Sequence, residues 1–139
     1  MTDINVGAIS EALNDKTDRD MRNVDNTAGA DAVIEYQAPT AENGYTWYRK
    51  YASGWVEQGG IGTTPASDGL TVVLPVTMLD ANYTLAIASD TPSSTTASTV
   101  HGCHYDSKTA TGFRIICLGG NSGSWLAQNV SWQVTGMAA

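Results

Sequence analysis

The chain has 139 residues, a formal net charge of −7, 42% hydrophobic residues and 15% charged residues. Nucleic acids and anionic membrane surfaces require clustered Lys and Arg, and only seven such residues are spread along the chain, so we expect neither as a partner. No apolar run is long enough for a transmembrane helix and no secretory signal is visible, which predicts no membrane insertion and synthesis in a cytoplasm.

The first part of the chain is polar, charged and free of aromatic residues. Within it Val6, Ile9 and Leu13 follow the three-four spacing of a helical a/d pattern. A helix this short is marginal in isolation, so it is interpreted either as a loose terminal helix or as the last turn of an oligomeric stalk. We therefore predict a helical neck and linker at residues 1–30 and a head domain at residues 31–139.

The sequence of residues 31–139 predicts short strands separated by Gly, Pro, Asn and Asp. Pro75 has no amide donor, so it marks an edge, a bulge or the end of its strand. The spacing of about ten residues between strands is typical of an antiparallel β-sandwich or barrel, which makes the fold class all-β. The predicted strands cover residues 32–37, 45–51, 55–61, 70–78, 83–88, 100–105, 112–118 and 129–135.

An aromatic segment surrounds the dipeptide Ser53-Gly54, which is a turn signal because Gly takes positive φ without steric cost. A loop made of these two residues would place Lys50 opposite Glu57, which is a favourable cross-strand pair of charges.

Neighbouring residues of the first strand of this hairpin point to opposite faces, so Trp47 and Tyr48 put aromatic rings on both sides. A hairpin with two aromatic faces is predicted to lie between its own sheet and a second surface, such as a neighbouring subunit. The candidate interface residues of a trimer are the apolar residues of the neck and this hairpin: Val6, Ile9, Leu13, Trp47 and Tyr48.

A cluster with metal-binding side chains comprises His101, Cys103 and His104, with Cys117 later in the chain. A strand points His101 and His104 to opposite faces, so both are weak candidates, and we expect no metal and no cofactor. The two cysteines fall on the same face of a predicted hairpin. Because the chain is expected to be made in a cytoplasm, we predict buried free thiols, and a disulfide is the alternative if the Cα atoms lie within about 7 Å.

The carboxylates form no recognisable catalytic motif. Most lie in predicted turns, where Asp supports the local backbone. A glycosidase needs two carboxylates about 5–9 Å apart, and no pair is indicated. The sequence also lacks a nucleophile elbow, a P-loop and a dinucleotide fingerprint. We therefore expect no enzymatic activity.

Aromatic residues beside polar loop residues are candidates for stacking on sugar rings. Tyr105 with Asp106, and Trp125 with Asn121, fit this description because both pairs adjoin predicted loops. These four residues are the predicted ligand-binding residues, and packing in the core is the alternative for each ring.

Several segments resemble the C-terminal domain of phage and prophage tail-fibre proteins. They are WYRKYASGWVEQGG at 47–60, LPVTMLDANYTL at 74–85 and SWQVTG at 131–136, and DRDMRNVDN at 18–26 is similar to the neck that joins a fibre shaft to its head. The resemblance implies an antiparallel β-sandwich head with a short N-terminal helical neck, assembled as a homotrimeric knob at the distal end of a tail fibre.

The function that this resemblance implies is non-enzymatic recognition of a bacterial surface polysaccharide or an outer-membrane protein. The protein would then be a virion component that is synthesised in the host cytoplasm. Weak sites on linked knobs would gain avidity through their high effective concentration. Two alternatives remain: a structural trimerisation or capping module without its own receptor site, and a polysaccharide depolymerase.

Overall fold

A computed structural model describes residues 29–90, 100–119 and 124–139, and within these ranges the regular elements are all β-strands. This part of the chain therefore offers no helix that could cross a membrane. The predicted neck helix, with Val6, Ile9 and Leu13, lies outside the described residues. The strands are β1 (Val33–Gln37), β2 (Trp47–Tyr51), β3 (Trp55–Thr63), β4 (Leu70–Val73), β5 (Thr84–Ser89), β6 (Val100–Thr109), β7 (Gly112–Gly119), β8 (Ser124–Trp125) and β9 (Asn129–Met137).

The strands form two antiparallel sheets. The five-stranded sheet has the order β1-β2-β3-β9-β5, and the four-stranded sheet has the order β4-β7-β6 with β8 paired to β7. Strand β9 thus lies between β3 and β5, and pairs with each over most of its length. The prediction of an all-β, antiparallel fold is confirmed.

One hydrophobic core lies between the facing sides of the two sheets. Alternating side chains point into it from each strand, as in β9, where every second residue from Val130 to Gly136 is buried. Phe113 and Trp132 join the sheets through an edge-to-face contact, with ring centroids 5.6 Å apart. The buried apolar residues are Val56, Val72, Leu74, Met78, Tyr83, Phe113, Ile115, Cys117, Val130, Trp132 and Val134.

The β2–β3 hairpin has a register one residue different from the predicted one. Its loop contains three residues, 52–54, because Gly54 takes a left-handed φ of 88° and its amide donates to the Tyr51 carbonyl. Lys50 therefore lies opposite Val56 rather than Glu57. The cross-strand charge pair joins Glu57 to Arg49, 3.8 Å apart.

The predicted strand 70–78 stops early, since β4 ends at Val73, two residues before Pro75. Beyond the proline, the backbone of Val76 is paired by a side chain of the other sheet. The side-chain Nε2 of Gln58 donates to the Val76 carbonyl at 2.8 Å, and the Val76 N–H donates to the side-chain Oε1 of Gln58 at 3.0 Å. Gln58 is fully buried, so one side-chain amide replaces a strand partner where the strand has ended.

Cys103 and Cys117 form a disulfide, so the prediction of free thiols is wrong. The two residues lie directly opposite one another in the β6–β7 ladder, with their Cα atoms 4.1 Å apart. This register brings the two sulfurs within bonding reach, whereas the prediction of free thiols considered only the cellular compartment. Among the described residues, no group of three or more His, Cys, Asp or Glu side chains is arranged to hold a metal.

Strand β1 is an edge strand, and most of its side chains are exposed. Val33, Ile34 and Tyr36 are large apolar or aromatic residues among them. In the neighbouring β2, Trp47 and Tyr48 are both half-buried, so both faces of the hairpin carry rings that are open in part to solvent. That a second surface covers this hairpin stays a prediction.

Candidate ligand-binding site

The predicted residues Tyr105 and Asp106 lie side by side in β6 and point to opposite faces of the four-stranded sheet. Tyr105 is opposite the buried Ile115, and is 50% exposed. Its ring is 5.6 Å from the ammonium of Lys108. Asp106 is opposite Arg114 on the outward face. The two residues therefore do not form one binding surface.

The Asp106 carboxylate is paired within the fold. The Arg114 guanidinium donates to both carboxylate oxygens, with the Nε–Oδ1 distance at 2.8 Å. Arg114 also donates to Asp68 at 2.8 Å, which ties the segment before β4 to the centre of the sheet. The hydrogen bond from Arg114 holds the pKa of Asp106 below its ordinary value of 3.8. Asp106 thus has a structural partner and few lone pairs left for a ligand.

This pair predicts a contribution to acid stability. Since the folded pKa of Asp106 lies below its unfolded value, the stabilisation is present above the unfolded pKa and is lost as the pH falls through the folded one. We expect Asp106→Asn to flatten the fall in melting temperature between about pH 6 and about pH 2. Glu42→Gln serves as the control, because Glu42 makes no hydrogen bond or ion pair with the described residues. Equal acid sensitivity in wild type and Asp106→Asn would contradict the prediction.

Of the second predicted pair, Trp125 and Asn121, the structure describes only Trp125. Trp125 lies in β8 opposite Leu118 and is 39% exposed. Since Leu118 and Arg114 alternate with the buried residues of β7, Trp125 shares the outward face of Asp106 and not the face of Tyr105. Asn121 lies outside the described residues.

An open groove of about 520 Å³ lies on the outward side of the five-stranded sheet, and we call it the Tyr45 groove. Side chains of β3, β9 and β5 form its floor. The register places Ile61 and Ala88 opposite Ser131, and Ala86 opposite Gln133, so these residues share one face. The groove is lined by Pro39, Tyr45, Trp47, Gly60, Ile61, Ala86, Ile87, Ala88, Ser131, Trp132 and Gln133.

Tyr45 has a backbone conformation that is rare for an aromatic residue, with a φ of 59° after Gly44 at 68°. Local hydrogen bonds hold it there. The Tyr45 amide donates to the Thr40 carbonyl at 2.7 Å, and the Asn43 side chain bonds the Thr40 amide and the Ala38 carbonyl. A conformation of this kind costs about 1–3 kcal/mol and persists where the surroundings determine it. The loop thereby presents a ring that is 49% exposed.

Trp47 lies against the sheet because its neighbour is glycine. A Cβ on Gly59 would be 2.7 Å from Trp47 Nε1 and 2.8 Å from the carbonyl oxygen of Trp132. Gly59 is opposite Trp47 in the ladder, so the indole crosses the bare backbone of β3. The second aromatic wall of the groove therefore depends on a residue without a side chain.

The chemistry of the groove is neutral and polar at its rim. None of its lining residues is charged. The side chains of Tyr45, Ser131 and Gln133 make no hydrogen bond to the described part of the chain, so their donors and acceptors remain available. Such a site suits an uncharged ligand with an apolar face and several hydroxyl or amide groups.

Sequence reasoning placed Trp47 in a subunit interface and did not identify this groove. Its parts come from segments near residues 45, 87 and 132, which meet only because β9 lies between β3 and β5. The alternation of small residues at Ala86 and Ala88, together with Gly59 and Gly60, is the signal that indicates a flat, open floor.

Comparison with known proteins relates the fold to tail fibres. No protein-family model and no curated protein sequence matches the chain. Among solved structures, the chain is similar to a C-terminal fragment of the R2 pyocin fibre of P. aeruginosa, with a TM-score of 0.51 and 19% identity over 83% of this chain and 29% of that one. An N-truncated R2-type pyocin tail fibre gives the same TM-score and identity, over 83% of this chain and 42% of that one.

The chain thus spans less than half the length of the fibre fragments that it resembles. At this identity the likeness concerns the fold. The described residues share the fold of a C-terminal part of pyocin tail fibres, as the resemblance in sequence implied.

Proposed function

We propose that this chain is the receptor-binding head of a tail fibre, and that it recognises a bacterial surface polysaccharide or an outer-membrane protein without catalysing a reaction. The observation that carries the proposal is the Tyr45 groove, which combines aromatic walls with unpaired polar groups on a rigid sheet. The fold shared with pyocin tail-fibre fragments supports the same interpretation.

The absence of catalysis is part of this proposal. It is supported by the engagement of the predicted site residue Asp106, whose carboxylate binds Arg114 together with that of Asp68. No carboxylate lines the Tyr45 groove. A depolymerase would need a pair of acidic side chains facing its substrate.

The test of the function is binding of the full-length chain to cells. We expect the fluorescently labelled protein to bind a subset of bacterial strains, and an excess of unlabelled protein to block adsorption of the particle that carries the fibre. A structural capping module would instead assemble normally and bind none of the strains, which would contradict the proposal. Release of soluble sugar from bound cells would indicate the depolymerase.

We also propose that the head is a homotrimer at the distal end of a virion's tail fibre. The exposed apolar residues of β1 support this, since a neighbouring subunit would cover them. In this arrangement Tyr48, with Val6, Ile9 and Leu13 of the neck, lies at the subunit interface. Trp47 is assigned to the Tyr45 groove, because its ring lines that groove.

The oligomeric state gives a direct prediction. Light scattering of the full chain is expected to give three times the chain mass of 14.6 kDa. Ile34→Lys, which puts a charge on the exposed face of β1, is expected to shift the mass toward that of the monomer. Glu42→Lys is the matched surface control and should leave the mass unchanged. A monomeric wild type would contradict the trimer.

A further inference from the structure

We infer that the Tyr45 groove binds a neutral sugar ring of a surface polysaccharide. This inference rests on the proposed receptor-binding function and names its site and ligand class. It differs from the assignment made from the sequence, which placed the sugar at residues 105, 106, 121 and 125.

The aromatic walls provide the stacking surface. Tyr45 and Trp47 are two residues apart and line the same groove. The face of an aromatic ring carries partial negative charge, so it attracts the C–H groups on the apolar face of a pyranose. The left-handed backbone of Tyr45 is already held by hydrogen bonds within the loop, so the backbone requires no ordering when the ligand arrives.

The floor and the opposite rim fit the remaining parts of a sugar. Ala86 and Ala88 keep the floor flat, because their methyl groups are small. Ser131 and Gln133 offer a hydroxyl and a carboxamide, and each group can both donate and accept hydrogen bonds. Sugar hydroxyls also both donate and accept, so the sugar can form hydrogen bonds with Ser131 and Gln133 in more than one orientation.

The absence of charged residues from the lining of the groove favours neutral ligands over charged ones. A phosphate, an acidic sugar or a charged peptide would find no counter-charge in a groove lined by uncharged residues. The net charge of −7 further disfavours anionic polysaccharides over neutral ones. The groove is open rather than enclosed, so a single site is weak, and binding to a polymer with repeated sugars would gain from several heads.

The experiment uses the full chain on a printed array of neutral and acidic bacterial polysaccharides, followed by titration of the best neutral polysaccharide. We expect binding to neutral polysaccharides. Tyr45→Ala and Trp47→Ala should weaken it roughly tenfold each, because each removes one stacking ring. Gly59→Ala should weaken it as well, since the added methyl group would clash with the Trp47 indole and with the backbone carbonyl oxygen of Trp132.

The matched control is Trp55→Ala. Trp55 is 41% exposed at the start of β3, and it does not line the Tyr45 groove. Its replacement should leave the affinity unchanged. Gln133→Ala is a groove variant with an exposed side chain, so it should retain the fold while weakening binding by roughly threefold. Melting curves compare the folding of all variants.

The results separate this inference from the proposed function. Cell binding that persists while no neutral polysaccharide binds would overturn the sugar site and leave receptor recognition intact. Loss of polysaccharide binding in Trp125→Ala, with groove variants unaffected, would overturn the location. Failure of the wild type to bind any cell would contradict the proposed function itself.

Discussion

Replacing Cys103 and Cys117 together with alanine is expected to lower the free energy of unfolding by about 3 kcal/mol. The two cysteines are 14 residues apart, and the bond between them restricts the unfolded chain by closing the loop that contains the β6–β7 turn. Cys117 is also buried, so alanine removes core contacts there. The measurement is urea unfolding of the full chain under oxidising conditions.

Reductant provides the control for this prediction. It should lower the unfolding midpoint of the wild type toward that of the double variant, and should leave the double variant unchanged. If the wild type is reduced while unfolded and its unfolding midpoint stays the same, the assigned role of the disulfide is contradicted.

Gln58→Leu is expected to lower the free energy of unfolding by about 2–4 kcal/mol, although leucine is similar in size and more apolar. The replacement leaves the partly buried N–H and carbonyl of Val76 without their side-chain partner, and an unpaired group costs about 1–3 kcal/mol when it is buried. It also removes the contact from the amide to the Met78 sulfur at 3.1 Å. Denaturant unfolding measures the difference.

Gln133→Leu is the matched control for this second prediction. Gln133 lies in the adjacent strand β9 and points outward, so its replacement should change the stability by less than about 0.5 kcal/mol. Equal effects of the two substitutions would show that the Gln58 amide has no special role. A larger effect at Gln58, with an unchanged denaturant slope, would locate the cost in the native state.

The strands could be predicted from the sequence because each has a local cause. Runs such as 83–88 and 129–135 alternate in polarity and are bounded by Gly, Asn or Asp. The hairpin register was not predictable in the same way. Hairpin loops of two and of three residues can both place a glycine at a positive φ, so the presence of Gly54 does not decide the loop length.

The disulfide and the groove depend on contacts that sequence patterns leave undetermined. That Cys103 and Cys117 share a face was predicted, but their direct pairing follows from the register shift between Asp106 and Thr109 near the β6–β7 turn. The groove requires the sheet order β3-β9-β5, in which the last strand lies between two earlier ones. The sequence identified Trp47 as a candidate interface residue, but it did not identify the small residues Ala86 and Ala88 that form the floor of the groove.

The position of β9 between β3 and β5 has a consequence for biosynthesis. Strands β3 and β5 each pair with β9, and the described structure has no ladder between the two. Residues 129–137 leave the ribosome after the rest of the head, so the five-stranded sheet cannot close while they are still in the exit tunnel. Until then both strands present unpaired backbone edges, which are prone to pair with other chains. Folding of the head is therefore completed only after β9 has been translated.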